Sequence, residues 1–171
     1  MKVKSTILSM MMSSSNISFG PYTIQSSQLF YESSKCYGLV NLKPIVPGHV
    51  LIIPKRVIAR YKDLTPDEAA DLYDTVYKIS PILEKHYNAE ALNIAMQDGK
   101  DAGQSVPHVH VHMLPRKPND FKRNDDVYEH LEKQNLDKVI QEEERKPRTL
   151  EEMAAEATVL RTLFPNNVPN F

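Results

Sequence analysis

The stretch Gln104-Ser-Val-Pro-His-Val-His-Val-His-Met-Leu-Pro-Arg116 decides how this chain is read. His108, His110 and His112 alternate with Val109, Val111 and Met113. A period of two is the period of a strand, whose successive side chains point to opposite faces. The three imidazoles then stand in a row on one face, roughly 6–7 Å apart from Cα to Cα. The apolar residues between them face a core. On a helix the same side chains would fan out and could not act together. Proline lacks the N–H that a ladder needs, so the strand is expected to start at Pro107 and stop at Pro115.

Three of the six histidines in the chain fall within these five residues, a concentration that argues for chemistry over packing. Two histidines at i and i+2 of a strand can ligate zinc. No Cys, Asp or Glu stands on the strand to complete such a site. The other reading is a nucleophilic imidazole with a helper on each side. A neutral ring attacks phosphorus when one nitrogen is held by an acceptor and the other is free. The loop before the strand suits this chemistry. Backbone N–H groups from Gly103 through Gln104 and Ser105 to Val106, with the Ser105 hydroxyl, can hold phosphate oxygens without adding charge. Gly103 lets the backbone approach closely. A plain hairpin turn also takes Gly and a polar residue, but does not require Gln and Ser.

Bulk properties narrow the class. A chain of 171 residues is read as one domain with room for a real core. A net charge of −1 carries no footprint of a nucleic-acid binder. The single Cys36 excludes an intramolecular disulfide and a multi-cysteine zinc site, and fits a reducing compartment. No apolar run approaches the ~20 residues that span a bilayer. Residues 1–16, Ser- and Met-rich behind Lys2 and Lys4, read as a disordered leader or a weak targeting segment.

Local signals place the elements. Residues 17–34 read as two short strands, with further strands over 36–42, 49–54 and 91–96. Pro44-Ile-Val-Pro-Gly48 is a rigid turn. Thr65, Pro66 and Glu68 open a helix with a capping box. Its apolar face runs through Ala69, Leu72, Val76, Ile79 and Leu83, and Pro81 is expected to kink or divide it. Thr149 and Glu152 form a second capping box, opening a helix to Leu163. Lys117, Lys122 and Arg123 make a modest basic patch that is either a solvated surface or an attractor of anions. Residues 131–145 carry charge runs that read as mobile.

The triad followed by Met-Leu-Pro-Arg resembles the histidine-triad (HIT) superfamily, and specifically its fragile-histidine-triad branch of dinucleoside polyphosphate hydrolases. Five further stretches support the resemblance: Asn41-Leu-Lys-Pro-Ile-Val-Pro-Gly-His49, Met96-Gln97-Asp98-Gly99, Ala102-Gly103-Gln104-Ser105-Val106, Asp120-Phe121-Lys-Arg-Asn124 and Glu152-Met-Ala-Ala-Glu-Ala157. It covers residues 17–164, with a mobile charged loop at about 117–148 and a tail over 165–171. It implies an α+β fold: an antiparallel sheet of about five strands with two main helices, the sheets joined edge to edge across a homodimer.

The resemblance also implies the chemistry. Diadenosine triphosphate would be cleaved to AMP and ADP through a nucleotidyl-histidine formed on His110. His112 would bond a non-bridging oxygen, His108 would orient the network together with His49, and Gln97 would reach the leaving-group side. Asn41 would bond the ribose, and Tyr22 lies where the base approaches. A divalent cation, Mg or Mn, would arrive with the polyphosphate, with no protein-bound metal. The expected location is the cytoplasm, with the nucleus second; mitochondria are a minor reading drawn from the N-terminal segment alone. Tyr128 matches a position associated in the family with tyrosine phosphorylation. Other readings stay open: an adenosine phosphoramidase of the same superfamily, a nucleotide-bound signalling or adaptor protein with slow turnover, or a zinc hydrolase.

Overall fold

A computed structural model describes residues 16–132 and 146–170. The readings placed on residues 1–15 and 133–145, the leader and most of the charged run, lie outside the described residues. In chain order the elements are β1 (Asn16–Phe19), β2 (Tyr22–Gln25), β3 (Leu29–Glu32), β4 (Cys36–Val40), β5 (Val50–Pro54), α1 (Pro66–Tyr87), β6 (Ala91–Ala95), β7 (Val111–Arg116), α2 (Asp126–Glu132) and α3 (Leu150–Arg161). Strands β3 to β7 form one antiparallel sheet in the order β3-β4-β5-β7-β6. The fold is α+β, with α1 and α3 as its long helices.

Register assigns the two faces of the sheet. Leu39, Leu51, His112 and Ala95 stand across from one another and share one face. That face carries a small apolar cluster of Leu29, Leu39, Leu51 and Ile53 with Ile24. The other face buries Val50, Ile52, Val111 and Met113 against Leu72, Val76, Ile79 and Leu83 of α1 and Met153, Ala157 and Leu160 of α3. Both long helices therefore cover one side, and the histidines emerge on the opposite side. Val109, Val111 and Met113 are buried, as the alternation requires.

Residues 17–34 hold three strands where two were expected. The Gly20-Pro21 break turns the chain into a β1–β2 hairpin separate from the main sheet. Gly20 has φ +56°, and a Cβ there would meet Val106 Cγ1 at 2.8 Å, so only glycine fits. The histidine strand is also shifted from its expected bounds. It starts at Val111, because β5 pairs with it only through Ile52 and the chain beyond Pro54 turns away. The chain bends over residues 106–108 before it, where His108 N–H donates to Val106 O at 2.7 Å, and Val109 N–H donates to Ile58 O at 2.7 Å. At the far end the strand continues through Pro115, which pairs with Leu92 of β6. β5 no longer flanks it there, so the strand is locally an edge, where a sheet tolerates proline.

α1 begins as expected, with Thr65 capping and its side chain accepting from Glu68 N. Pro81 does not divide it: the helix runs unbroken to Tyr87. Pro81 lies on the exposed face, where water can satisfy the freed carbonyl, while Leu72, Val76, Ile79 and Leu83 hold the buried face. Tyr128 falls on α2, not in a loop; Val127 and Leu131, four residues apart, bury against Val46 and Leu114. The tail is docked too, since Glu32 N–H donates to Asn167 O at 2.8 Å. No helix among the described residues is long and apolar enough to cross a membrane.

Candidate active site

Partners assign the tautomer of each ring, because carbonyls only accept and backbone amides only donate. His110 Nδ1 lies 2.7 Å from the His108 carbonyl oxygen, so its hydrogen sits on Nδ1 and Nε2 keeps its lone pair. The ring lines the cleft on the histidine face. Ile45 N–H donates to His49 Nδ1 at 3.2 Å, which leaves the His49 hydrogen on Nε2. That nitrogen is 2.9 Å from His112 Nδ1. His49 donates there, and His112 carries its own hydrogen on Nε2 as a donor toward the cleft. The fully buried His49 therefore sets the tautomer of His112. The Asn41 amide nitrogen lies 3.1 Å from the His49 ring nitrogens.

His108 does something different from what was expected. Gly20 N–H donates to its Nδ1 at 3.0 Å, and its Nε2–H donates to Pro54 O at 3.0 Å. Both ring nitrogens are spent on backbone, and the ring is fully buried and does not line the cleft. Its partner is not His49. Its ring anchors the β1–β2 turn to the end of β5, and its carbonyl orients His110. Burial holds all three triad rings below the usual imidazole pKa: His108 is lowered to about 4, His110 is lowered, and His112 is well below. All three are neutral at pH 7, the state a nucleophilic imidazole needs.

The cleft encloses about 1350 Å³. That exceeds the roughly 300–1,000 Å³ of an ordinary small-molecule pocket. Its lining includes Tyr22, Ile24, Leu39, Asn41 and Leu51 together with Arg60, Lys100, Gly103, Gln104, Ser105 and Val106. Phe19 joins the lining, its ring centroid 5.4 Å from both His108 and His110. Sequence reasoning missed Phe19; its place just before a Gly-Pro turn was the available signal. Tyr22 is 60% exposed at the rim.

The loop before the histidines is only partly available to a ligand. Gly103 N–H donates to Lys100 O and Gln104 N–H to Gly99 O. The Gln104 side chain bridges Gly99 N–H and Ala59 O. These groups shape the loop, and Ser105 and Val106 beside them line the cleft. Gln97, half-buried two residues beyond β6, is not among the lining residues. The cations at the cleft are Lys43, Arg60 and Lys100. Lys117 and Lys122 instead border a separate hollow of about 440 Å³ beside Arg116, and Arg123 is paired with Asp126 and Glu129. Among the described residues no group of three His, Cys, Asp or Glu side chains is arranged to hold a metal ion.

One neutral imidazole with a bare nitrogen, a second imidazole donor beside it at 4.9 Å between ring centroids, and a third that fixes the backbone define a histidine-triad site. The HIT domain family model matches residues 23–119, and the chain belongs to this family. A bis(5'-adenosyl)-triphosphatase of Dictyostelium discoideum is 46% identical over 149 residues, covering 87% of this chain and 93% of the relative. An asymmetrical bis(5'-nucleosyl)-tetraphosphatase of Schizosaccharomyces pombe is 48% identical over 162 aligned positions, covering 81% and 89%. The crystal structure of Plasmodium falciparum diadenosine triphosphate hydrolase in complex with cyclomarin A aligns with TM-score 0.71 and 30% identity, covering 92% and 89%.

Proposed function

We propose that this protein is a dinucleoside polyphosphate hydrolase that cleaves diadenosine triphosphate to AMP and ADP. The observation that carries this reading is the bare Nε2 of His110, held by the His108 carbonyl and directed into a cleft large enough for two nucleosides. His110 Nε2 attacks the α-phosphorus in line; the bond to the bridging oxygen breaks and ADP departs. Water then attacks the same phosphorus, the P–N bond breaks, and AMP leaves with the water oxygen. His112 Nε2–H and the Ser105 and Val106 amides donate to the non-bridging oxygens, where charge develops. Asn41 and Tyr22, both in the cleft lining, bind one nucleoside. A divalent cation, Mg or Mn, accompanies the polyphosphate and neutralises part of its charge; among the described residues no ligand cluster is arranged to hold it.

The protein is further read as a homodimer. The outer edge of β3 is covered, since Arg161 Nε donates to Leu29 O and Glu32 N–H to Asn167 O. The outer edge of β6 has no strand partner among the described residues, and Ile94 on it is 49% exposed. A second copy of β6 satisfies that edge. A cytoplasmic location fits Cys36, a lone buried thiol whose pKa is pushed up chiefly by burial.

Product analysis in isotopically labelled water tests the mechanism. The label is expected in AMP and not in ADP, and His110→Asn should abolish turnover while substrate binding persists. Label in ADP, or full turnover by the variant, would remove His110 from the role of nucleophile.

A further inference from the structure

We propose that Arg148 is a positioning residue for the triad, acting through Asn41 and His49. The inference rests on the reading of His112 as the donor to the reacting phosphate. The pairing of β4 with β5 ends at Val40 and Val50, so the Asn41 carbonyl has no place in the ladder. Arg148 supplies the missing partner. Its Nε and Nη2 both donate to Asn41 O, with the Nε distance 3.0 Å, and its own N–H donates to Leu42 O at 3.0 Å. Asn41 N–H in turn donates to His49 O at 3.3 Å. The Asn41 backbone is thus gripped on both sides, and its side-chain amide is set against the His49 ring. His49 sets the tautomer of His112.

On its other side, Arg148 is neutralised by Glu156 of α3 at 2.6 Å, and Glu156 accepts from Tyr87 OH at 2.9 Å. Arg148 and Glu156 side chains are each less than one-fifth exposed. A guanidinium is suited to this place because its planar fork serves one carbonyl and one carboxylate at once; a lysine ammonium serves fewer in fixed geometry. The consequence is that the segment just before α3 fixes a histidine it never touches. Loosening Asn41 removes one of the groups that hold the His49 ring and leaves Ile45 N–H to orient it, so His112 is held less strictly in one tautomer.

The test compares Arg148→Met, Arg148→Lys and Tyr87→Phe with the unsubstituted chain, the parent. Tyr87→Phe removes the far hydrogen bond of the same network but leaves Arg148 on Asn41. Arg148→Met is expected to lower kcat for diadenosine triphosphate about tenfold, with KM changed by less than about threefold. Tyr87→Phe should keep kcat within about twofold of the parent. In nitrogen-15 spectra of the unliganded protein, the parent should show His112 with one protonated and one bare ring nitrogen in a single tautomer. Arg148→Met should show that pattern averaged or reversed. Unchanged kcat with an unchanged His112 signature would overturn the proposal, and so would an equal loss in Tyr87→Phe. If Arg148→Met does not fold, Arg148→Lys decides: it keeps the charge beside Glu156, and parental kcat and spectrum in that variant would overturn the proposal. If the parent itself releases no AMP, the hydrolase reading falls, while the nitrogen spectra still decide for or against Arg148.

Discussion

At the scale of the residue, the three triad histidines have three different jobs, although they look alike in the sequence. His110 offers a bare nitrogen, His112 offers an N–H, and His108 offers nothing to the cleft. Their shared neutrality has a consequence for stability. An unfolded histidine binds a proton near its ordinary pKa of about 6.5, whereas folded His108 does so only near 4. Between those values the unfolded state binds more protons, so stability rises with pH there and is lost as pH falls through the window. His108 alone accounts for roughly 3 kcal/mol across it. Denaturant unfolding should therefore show stability steady from pH 8 to 7 and declining from about 6.5 toward 4, with a shallower slope in His108→Asn. A profile flat down to pH 5 would contradict the buried neutral rings. Turnover should likewise persist below the ordinary imidazole pKa, since protonation of His110 is held off by burial.

At the scale of the element, short side-chain devices hold the site frame. Thr65 and Glu68 close a capping box at the start of α1, and Glu68, lowered to about 2 mainly by its hydrogen bond from Arg56, also ties that helix to the segment after β5. Thr65→Ala should cost about 1 kcal/mol, read by calorimetry as a fall in Tm of about 2–4 °C, with the triad chemistry unchanged. The Asp120–Asn124 motif has a comparable role. Arg116 at the end of β7 is held by Asp120 and Asn124 and stacks its guanidinium on Phe121, 4.8 Å from the ring centroid. Capping boxes were legible because their geometry is set within four residues. α2 was not, because its charged surface outnumbers the Val127 and Leu131 pair that buries it.

At the scale of the whole molecule, the sheet separates structure from chemistry. The long helices α1 and α3 pack on one face, and the cleft lies on the other, lined by Phe19 and Tyr22 of the β1–β2 hairpin, with α2 packed on Leu114. The unpaired β6 edge predicts self-association. Sedimentation equilibrium should return twice the 19.5 kDa of one chain. Ile94→Lys, which puts a charge on that edge, should shift the mass toward the monomer. A parent protein sedimenting as a monomer at micromolar concentration would reject the shared edge.

The family resemblance implied the antiparallel α+β character and the neighbourhood of Asn41 and His49; the sequence by itself determined the face on which the histidines stand, the polar loop around Ser105 and the capped starts of both long helices. The latter depend on periodicity and turn chemistry, which act over a few residues. The tertiary structure alone decided which imidazole is bare, which donates and which is spent. It also decided that Gln104 braces the loop and that Arg148 reaches the site. The partners responsible lie far apart in the chain: 88 residues separate Gly20 from His108, 63 separate His49 from His112, and 107 separate Arg148 from Asn41. A ring's protonation pattern is fixed by whatever donor or acceptor the fold brings against it, and no local pattern carries that information.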